Sequence, residues 1–309
     1  MKGTNAHRAR QSVAVVGLGG IGGAAAAVLQ EAGRHTVTAC VRQPLERLTF
    51  ERPGGTVELP MHALTDPAAA EPVDWVLLRT KAHATPSAGP WLERLCRAHT
   101  RVAVLQNGID HAARVAPFIG EATAVPVIVY YNGERLAPDH VRFRPVSQHD
   151  LVVPDDYGGQ ALKALLDGTP LRVLAVADFA TRAWRKLLLN AAANPITALT
   201  PQRQAVLRHA DIYALCLDVL EEAVRVGRAD GAELADDEPA RCMETLMSFS
   251  PELGTSMLFD RQAGRPSEIE ALYGAVVAAG ERHGIATPLN RMLLALMRAV
   301  NDAAAPAAG

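Results

Sequence analysis

Val13-Ala14-Val15-Val16-Gly17-Leu18-Gly19-Gly20-Ile21-Gly22 is the stretch that decides the fold of this chain. A β-branched run leads into a Gly-x-Gly-x-x-Gly pattern, and an alanine-rich segment follows. This order predicts a strand, a tight turn and a helix. Gly17 permits the turn, Gly19 lets a pyrophosphate approach the backbone, and Gly22 lets the helix pack closely on the strand. Because a helix N-terminus attracts phosphates, we predict a dinucleotide-binding domain whose cofactor loop comprises Gly17, Leu18, Gly19, Gly20, Ile21 and Gly22.

The start of the chain lacks the features of a membrane or export segment. Residues 13–29 are uncharged and nearly long enough for a membrane span, but their glycines oppose one continuous helix. The preceding residues are polar and lack the apolar core and cleavage site of a signal peptide. We therefore expect a cytoplasmic protein that does not contact a membrane. We also expect the first ten residues to be disordered and the alanine-rich tail from Ala303 to be frayed.

Composition narrows the function classes further. A chain of 309 residues suits two domains. A formal net charge of −2 without a basic block argues against nucleic acid as a partner. The four cysteines are scattered without a C-x-x-C pair, which argues against a zinc ribbon or a redox motif and predicts reduced thiols. We accordingly predict no metal site.

The first half of the chain reads as an α/β domain. Apolar runs that alternate with helical segments predict a parallel sheet covered on both faces, with strands at 13–16, 35–41, 73–78, 101–105 and 124–129. One intervening helix is expected near Trp91 to Ala98. The segments 141–153 and 171–176 are expected to add antiparallel strands at one edge of the sheet.

The second half of the chain reads as helical. Apolar residues recur at helical spacing over 181–194, 212–227 and 268–283, and Ser267-Glu268-Ile269-Glu270 has the pattern of a capping box. The sequence thus predicts a Rossmann-type, mostly parallel α/β domain over 11–177 and an all-α domain over 178–300. We expect the active site in the cleft between them, closing about a hinge near 175–181.

The residues that follow the second and third predicted strands bear on cofactor choice. An acidic residue after the second strand would mark NAD, whereas an arginine accommodates the 2′-phosphate of NADP. Here that strand ends in Cys40-Val41-Arg42, and Lys81 follows the third strand at the same edge. We predict NADP(H), with Arg42 and Lys81 on the 2′-phosphate. The alternative is that Arg42 is simply a solvated surface residue.

Three polar segments are candidates for chemistry. Asn107 follows the fourth strand, although Asn-Gly is also a common turn pair. The second segment contains Lys186, Asn190 and Asn194, which are spaced by four and so share one face of an apolar helix. Burying these polar side chains is costly unless they line a polar cavity. The alternative is that this polar stripe faces solvent. Pro195 is expected to stop or kink the helix.

The third segment contains Ser256 and Glu268. Glu268 falls in the predicted first turn of a helix, where the dipole favours an ionised carboxylate. A glutamate there is also simply a good helix start. Asp260 and Arg261 are expected to make structural pairs.

Together these segments resemble the ketopantoate reductase (2-dehydropantoate 2-reductase) family. The resemblance covers Val13 to about Met297, in the family's order and with similar intervals. The pieces that carry it are the glycine loop, Arg42, Thr80-Lys81-Ala82, Gln106-Asn107-Gly108, the run from Lys186 to Pro195, and the stretch from Ser256-Met257-Leu258 to Glu268.

The resemblance implies NADPH-dependent reduction of ketopantoate to pantoate, a step toward coenzyme A. It implies that Lys186 is the general acid, and that Glu268 binds the substrate hydroxyl, helps to hold the lysine and lies at the cofactor. Substrate binding would fall to Asn107, Asn190, Asn194 and Ser256, with Asn107 also near the nicotinamide. A cation that donates a proton suits the charge developing on the ketone oxygen.

One stretch departs from the family pattern, which leaves the substrate open. Many relatives have small residues where this chain has Tyr130 and Tyr131, and we expect these tyrosines to narrow or reshape the pocket. The enzyme alternative is a related NADP-dependent reductase or dehydrogenase that acts on another 2-oxo acid or an imine. The non-enzyme alternative is a dinucleotide-sensing protein, which would need only the glycine loop and Arg42. The sequence does not specify the oligomeric state and allows a homodimer.

Overall fold

The fold is described from a computed structural model over residues 9–304. The predicted tails fall largely on residues 1–8 and 305–309, which lie outside the described residues. The described chain forms two compact units. The first contains the residues up to Gln106 together with His111–Ala177, and the second contains Asn107–Asp110 together with the residues from Asp178 onward.

The first unit is built on a six-stranded sheet; the apolar runs predicted a parallel sheet with five of these strands, and the strand at His62–Leu64 was not predicted. Every neighbouring pair in it is parallel. In spatial order its strands are β5 (His62–Leu64), β2 (Thr36–Cys40), β1 (Ser12–Val16), β6 (Trp75–Leu78), β7 (Arg101–Val104) and β8 (Thr123–Pro126). The helices of this unit are α1 (Gly20–Ala32), α2 (Thr85–Leu95), α3 (His111–Ile119) and α4 (Tyr157–Leu166). The helix expected near 91–98 therefore begins earlier and ends at Leu95, where extended backbone at Cys96 stops it.

The prediction of antiparallel additions at one edge was wrong. The remaining strands of this unit form two further sheets. One has the order β10 (Asn132–Ala137), β11 (His140–Arg144), β3 (Arg47–Arg52) and β4 (Gly55–Pro60); the other has β13 (Val173–Val176), β12 (Leu151–Pro154) and β9 (Ile128–Val129). The pairs β11–β3 and β12–β13 are parallel. A local apolar pattern does not show which strand will be its neighbour in the sheet, and β3 is distant from β11 in the sequence.

The predicted strand over 124–129 is divided between two sheets. Its first part, β8, ends at Pro126, and Ile128 already pairs with β12. Pro126 lacks the N–H that would continue a ladder, and it lies on an edge strand, where proline is tolerated.

The second unit is helical, as predicted. Its helices are α5 (Phe179–Leu199), α6 (Ala210–Ala229), α7 (Glu238–Ser248), α8 (Ser256–Gln262), α9 (Ala275–Arg282) and α10 (Pro288–Ala304). A π-helical segment, Glu270–Gly274, leads directly into α9. The core of this unit includes the fully buried side chains of Trp184 and Tyr273. Pro195 does not stop α5, which continues to Leu199.

The capping box predicted at Ser267–Glu270 is not formed. The Ser267 N–H donates to Asn301 Oδ1 (3.0 Å), and Glu270 instead forms a two-pronged ion pair with Arg298 (2.7 and 2.9 Å). Glu268 precedes the first helical residue, Ile269, rather than lying in the first turn. Tertiary partners on α10 have replaced the local cap.

All four cysteines are buried and unpaired. Two, Cys40 and Cys96, lie in the first unit, and two, Cys216 and Cys242, lie in the second. Burial raises the pKa of Cys96 to about 11 and the pKa of the other three thiols to about 12. Within residues 9–304 no cluster of His, Cys, Asp or Glu is arranged to hold a metal ion. No helix in that range has the length and apolar character needed to cross a membrane.

Candidate active site

The three glycines of the Gly-x-Gly-x-x-Gly turn differ in what surrounds them. Gly17 has φ +99°, and a Cβ there would lie 2.6 Å from the Thr80 backbone nitrogen. A Cβ at Gly22 would lie 2.1 Å from the Gly17 carbonyl oxygen, so only glycine lets α1 start this close to the turn. A Cβ at Gly19 would meet nothing within 4 Å. Gly17 and Gly22 therefore serve packing, while the space beside Gly19 can admit a ligand phosphate at the N-terminus of α1.

The other loop residues also have packing roles. A Cβ at Gly20 would lie 2.0 Å from the Gly133 carbonyl oxygen, so α1 and β10 touch through two glycines. Leu18 belongs to the apolar core of the first unit, and Ile21 packs against that core. Their side chains thus stabilise the turn, and only their backbone is available to a phosphate.

Tyr131 is a core residue, so the expectation that it reshapes a pocket was wrong. Its hydroxyl donates to the Ile21 carbonyl (2.7 Å), and its ring meets Phe143 edge-on at 5.2 Å between centroids. Burial raises the pKa of this phenol well above its usual value. The neighbouring Tyr130 is half-buried, and its backbone N–H donates to the Asp150 carbonyl (2.8 Å).

The two cations predicted for the 2′-phosphate follow the strands on either side of β1. Arg42 comes after β2 and Lys81 after β6, so both lie at the carboxyl edge of the sheet. Arg42 is exposed, and no hydrogen bond or ion pair to another described residue occupies its guanidinium. Lys81 is half-buried at the start of a short 3₁₀ turn.

The loop that carries Lys81 is braced by Gln106, which the sequence indicated only as part of a motif. The Gln106 amide donates to the Thr80 carbonyl (3.0 Å) and to the Thr85 hydroxyl (2.9 Å). It also accepts from Arg114 (3.0 Å), and its backbone carbonyl lies 2.9 Å from His111 Nε2. The available signal was a polar residue at the end of a buried strand.

Asn107 and Glu268 are brought together. Asn107 Nδ2 donates to Glu268 Oε2 at 3.0 Å, and Glu268 is buried, with only 5% of its surface exposed. Asn107 is thus not merely a turn residue, since Gly108 supplies the positive φ (+105°) that the turn uses. Both residues belong to the second unit.

The polar stripe on α5 does not face solvent. Lys186 and Asn190 are half-buried, and Asn194 is 4% exposed. Asn194 Nδ2 makes a long contact of 3.5 Å with Asn190 Oδ1. The Tyr273 hydroxyl donates to the Asn190 carbonyl (3.1 Å), which fixes this turn of α5 against the π-helical segment.

Ser256 is the first residue of α8 and is exposed. Thr255 caps the helix, since its hydroxyl accepts from the Leu258 N–H (3.1 Å), and it also lies 2.6 Å from the Thr197 hydroxyl of α5. These contacts set Ser256 beside α5. Its own hydroxyl has no hydrogen-bond partner among the described residues. The expectation of a structural pair at Asp260 is confirmed by its ion pair with Arg265 (3.3 Å).

Asn301 holds the backbone just before Glu268, and sequence reasoning missed it. Its amide accepts from the Ser267 N–H (3.0 Å) and donates to the Ser267 carbonyl (3.1 Å). Arg298, one turn earlier on α10, holds Glu270. The π-helical segment that follows is a rare element that occurs often at functional sites.

The comparison with protein-family models agrees with this arrangement. Residues 13–155 match the model "Ketopantoate reductase PanE/ApbA", and residues 178–301 match "Ketopantoate reductase PanE/ApbA C terminal". The chain belongs to the ketopantoate reductase family. It is therefore an oxidoreductase, and the resemblance read from its motifs is confirmed.

Individual relatives support the same family. A 2-dehydropantoate 2-reductase from Caulobacter vibrioides is 39% identical, over 93% of this chain and 98% of the relative. The crystal structure of a PanE/ApbA family ketopantoate reductase from Ralstonia eutropha has a TM-score of 0.84 and 30% identity, covering 95% of this chain and 99% of that one. A dimeric ketopantoate reductase from Staphylococcus aureus shares the fold, with a TM-score of 0.83 and 24% identity over 95% and 100% of the two chains.

Proposed function

We propose that this chain catalyses the NADPH-dependent reduction of 2-dehydropantoate (ketopantoate) to pantoate, in the biosynthesis of pantothenate and coenzyme A. The observation that carries the proposal is in the helical unit. A half-buried lysine is followed on the same face of α5 by two asparagines, and the same unit holds a buried glutamate that an asparagine amide contacts. The name of the Caulobacter vibrioides relative supports the choice of substrate.

The first unit offers a fitting site for the cofactor. The open space beside Gly19 at the start of α1 suits a pyrophosphate. Arg42 and Lys81 would hold the 2′-phosphate, because each places a cation at the carboxyl edge of the sheet where an acid would favour NAD. When bound, NADPH would supply a hydride to C2 of the keto acid.

The helical unit would supply the proton and the substrate contacts. Hydride addition leaves negative charge on the former ketone oxygen, and the Lys186 ammonium donates a proton to that oxygen. The Asn190 and Asn194 amides and the Ser256 hydroxyl offer donors to the substrate. Glu268 accepts a hydrogen bond from the substrate hydroxyl, and Asn107 orients its carboxylate.

The test is NADPH oxidation by the full chain over a panel of 2-oxo acids that includes ketopantoate and its analogue without the terminal hydroxyl. We expect ketopantoate to give the highest kcat/KM, and we expect Glu268→Gln to remove most of the preference for the hydroxylated substrate. A higher kcat/KM for another 2-oxo acid would identify a related reductase. Tight binding of NADPH without turnover of any substrate would instead identify a dinucleotide sensor.

We also propose that the enzyme acts as a homodimer in the cytoplasm. The dimeric Staphylococcus aureus relative supports the assembly, and the buried, unpaired cysteines suit a reducing compartment. Light scattering of the full chain at working concentration would show a dimer mass, and a monomer mass would contradict the proposal.

A further inference from the structure

Arg79 lies directly against the glycine turn. It is the first residue after β6, and its backbone N–H donates to the Val16 carbonyl at the end of β1 (2.8 Å). A Cβ at Gly17 would come within 2.7 Å of the Arg79 carbonyl carbon, and a Cβ at Gly22 would lie 3.3 Å from the Arg79 Cβ. The side chain of Arg79 therefore starts beside the first turn of α1.

Among the described arginines, Arg79 is the one with a buried side-chain donor that lacks a hydrogen-bond partner. Its Nε is buried without a hydrogen-bond partner, and no described residue forms an ion pair with it. By contrast, the half-buried Arg52 pairs with Glu31, Arg142 with Glu51 and Arg182 with Asp178. A buried donor on a permanently charged group is costly to leave unpaired.

The surroundings of this guanidinium are already positive. The first turn of α1, a helix of 13 residues, contains no acidic side chain, and its N-terminus carries partial positive charge. Burial raises the pKa of Tyr131, whereas the positive charge of Arg79 lowers it. The guanidinium is therefore close enough to interact electrostatically with the phenol. The phenol in turn contacts the Ile21 carbonyl in the first turn of α1. An anion bound near both a cation and a positive helix end is stabilised by both charges.

We propose that Arg79 binds the pyrophosphate of the dinucleotide. The inference rests on the proposed function only in that a dinucleotide binds at this turn. The pyrophosphate is the group that the open space beside Gly19 admits, and an arginine binds phosphate oxygens through two parallel N–H donors. Since NAD and NADP share the pyrophosphate, Arg79 contributes affinity for both cofactors, unlike Arg42.

The test compares Arg79→Gln with two control variants, using calorimetric binding to the full chain. The ligands are NADPH, NADH and ADP-ribose, which all carry a pyrophosphate. For Arg79→Gln we expect a similar loss of affinity, about 10- to 100-fold, for all three ligands. Arg42→Ala should weaken NADPH much more than NADH or ADP-ribose. Arg79→Lys, which keeps the charge but not the planar fork, should lose less affinity than Arg79→Gln.

The melting temperature without ligand distinguishes a ligand-binding role of Arg79 from a structural role. Arg79→Gln should leave it unchanged or raise it, because a cation without a partner is removed. Arg172→Gln should lower it, because Asp150 then loses its ion pair in a fully buried position. Unchanged ligand affinity in Arg79→Gln would overturn the inference, as would a loss confined to NADPH or a drop in melting temperature matching that of Arg172→Gln. If the unaltered chain reduces ketopantoate while Arg79→Gln binds normally, only the Arg79 inference fails; if the unaltered chain binds no dinucleotide, the proposed function fails first.

Discussion

A methyl group at Gly22 should damage the fold, whereas the same group at Gly19 should damage only dinucleotide binding. At Gly22 the new carbon would lie 2.1 Å from the Gly17 carbonyl oxygen, so α1 must move by roughly 0.9 Å even to reach a tight contact of 3.0 Å. Overpacking of this kind costs about 1–3 kcal/mol. We expect Gly22→Ala to melt several degrees below the unaltered protein.

Gly19→Ala is the matched control because no atom lies within 4 Å of the added carbon. Gly19 has φ −77°, which alanine adopts without strain. Reduced freedom of the unfolded chain stabilises by about 0.4–1 kcal/mol. Alanine is a poorer N-cap than glycine by a similar amount, so the net change should stay below about 1 kcal/mol. The methyl would nevertheless occupy the space proposed for the pyrophosphate, and NADPH affinity should fall about 100-fold or more.

Differential scanning calorimetry and calorimetric titration with NADPH measure both effects on the same samples. The reasoning would be refuted if Gly22→Ala melted with the unaltered protein. It would be refuted equally if Gly19→Ala lost as much stability as Gly22→Ala, or if Gly19→Ala bound NADPH normally.

Three further outcomes are expected. In direct titrations, Arg42→Ala should lower the affinity for NADPH about 10- to 100-fold more than the affinity for NADH. Equal losses would show that Arg42 does not bind the 2′-phosphate. Lys186→Ala should lower kcat about 10²- to 10⁴-fold while circular dichroism and melting temperature stay near those of the unaltered chain; near-normal turnover would remove the lysine from the chemistry. Asn301→Ala should cost about 1–3 kcal/mol of stability through the lost contacts to Ser267. It should also lower kcat/KM for ketopantoate while leaving NADPH affinity unchanged, and an unchanged kcat/KM would show that Asn301 does not position Glu268.

The parts of the fold that follow from local chemistry could be predicted from the sequence. Buried parallel strands are continuous apolar runs, and the glycine turn has steric demands that only glycine meets, as Gly17 and Gly22 show. The α5 stripe was visible because three polar side chains recur at helical spacing on an apolar helix. Each of these signals lies within one short segment.

What escaped prediction depends on partners distant in the chain. The hairpin β3–β4 pairs with β11, and no periodicity in either segment names the other. The sequence at Ser267 fits the local rule for a capping box, yet the Ser267 N–H and the Glu270 carboxylate bond to Asn301 and Arg298 on α10 instead. The small residues that relatives have at this position suggest a pocket, but the Tyr131 hydroxyl donates to the Ile21 carbonyl within the first unit.

Two of the four buried thiols lie in each unit, so the reactivity of the thiols can report the unfolding of each unit separately. A thiol reagent in the solvent reacts with the thiolate, so burial and a raised pKa together keep Cys40 and Cys96 inert until the sheet unit opens, and Cys216 and Cys242 inert until the helical unit opens. Labelling rates at each position, read by mass spectrometry, would give separate opening free energies for the two units. Adding NADPH would then reveal whether the cofactor stabilises the sheet unit alone or slows opening of both.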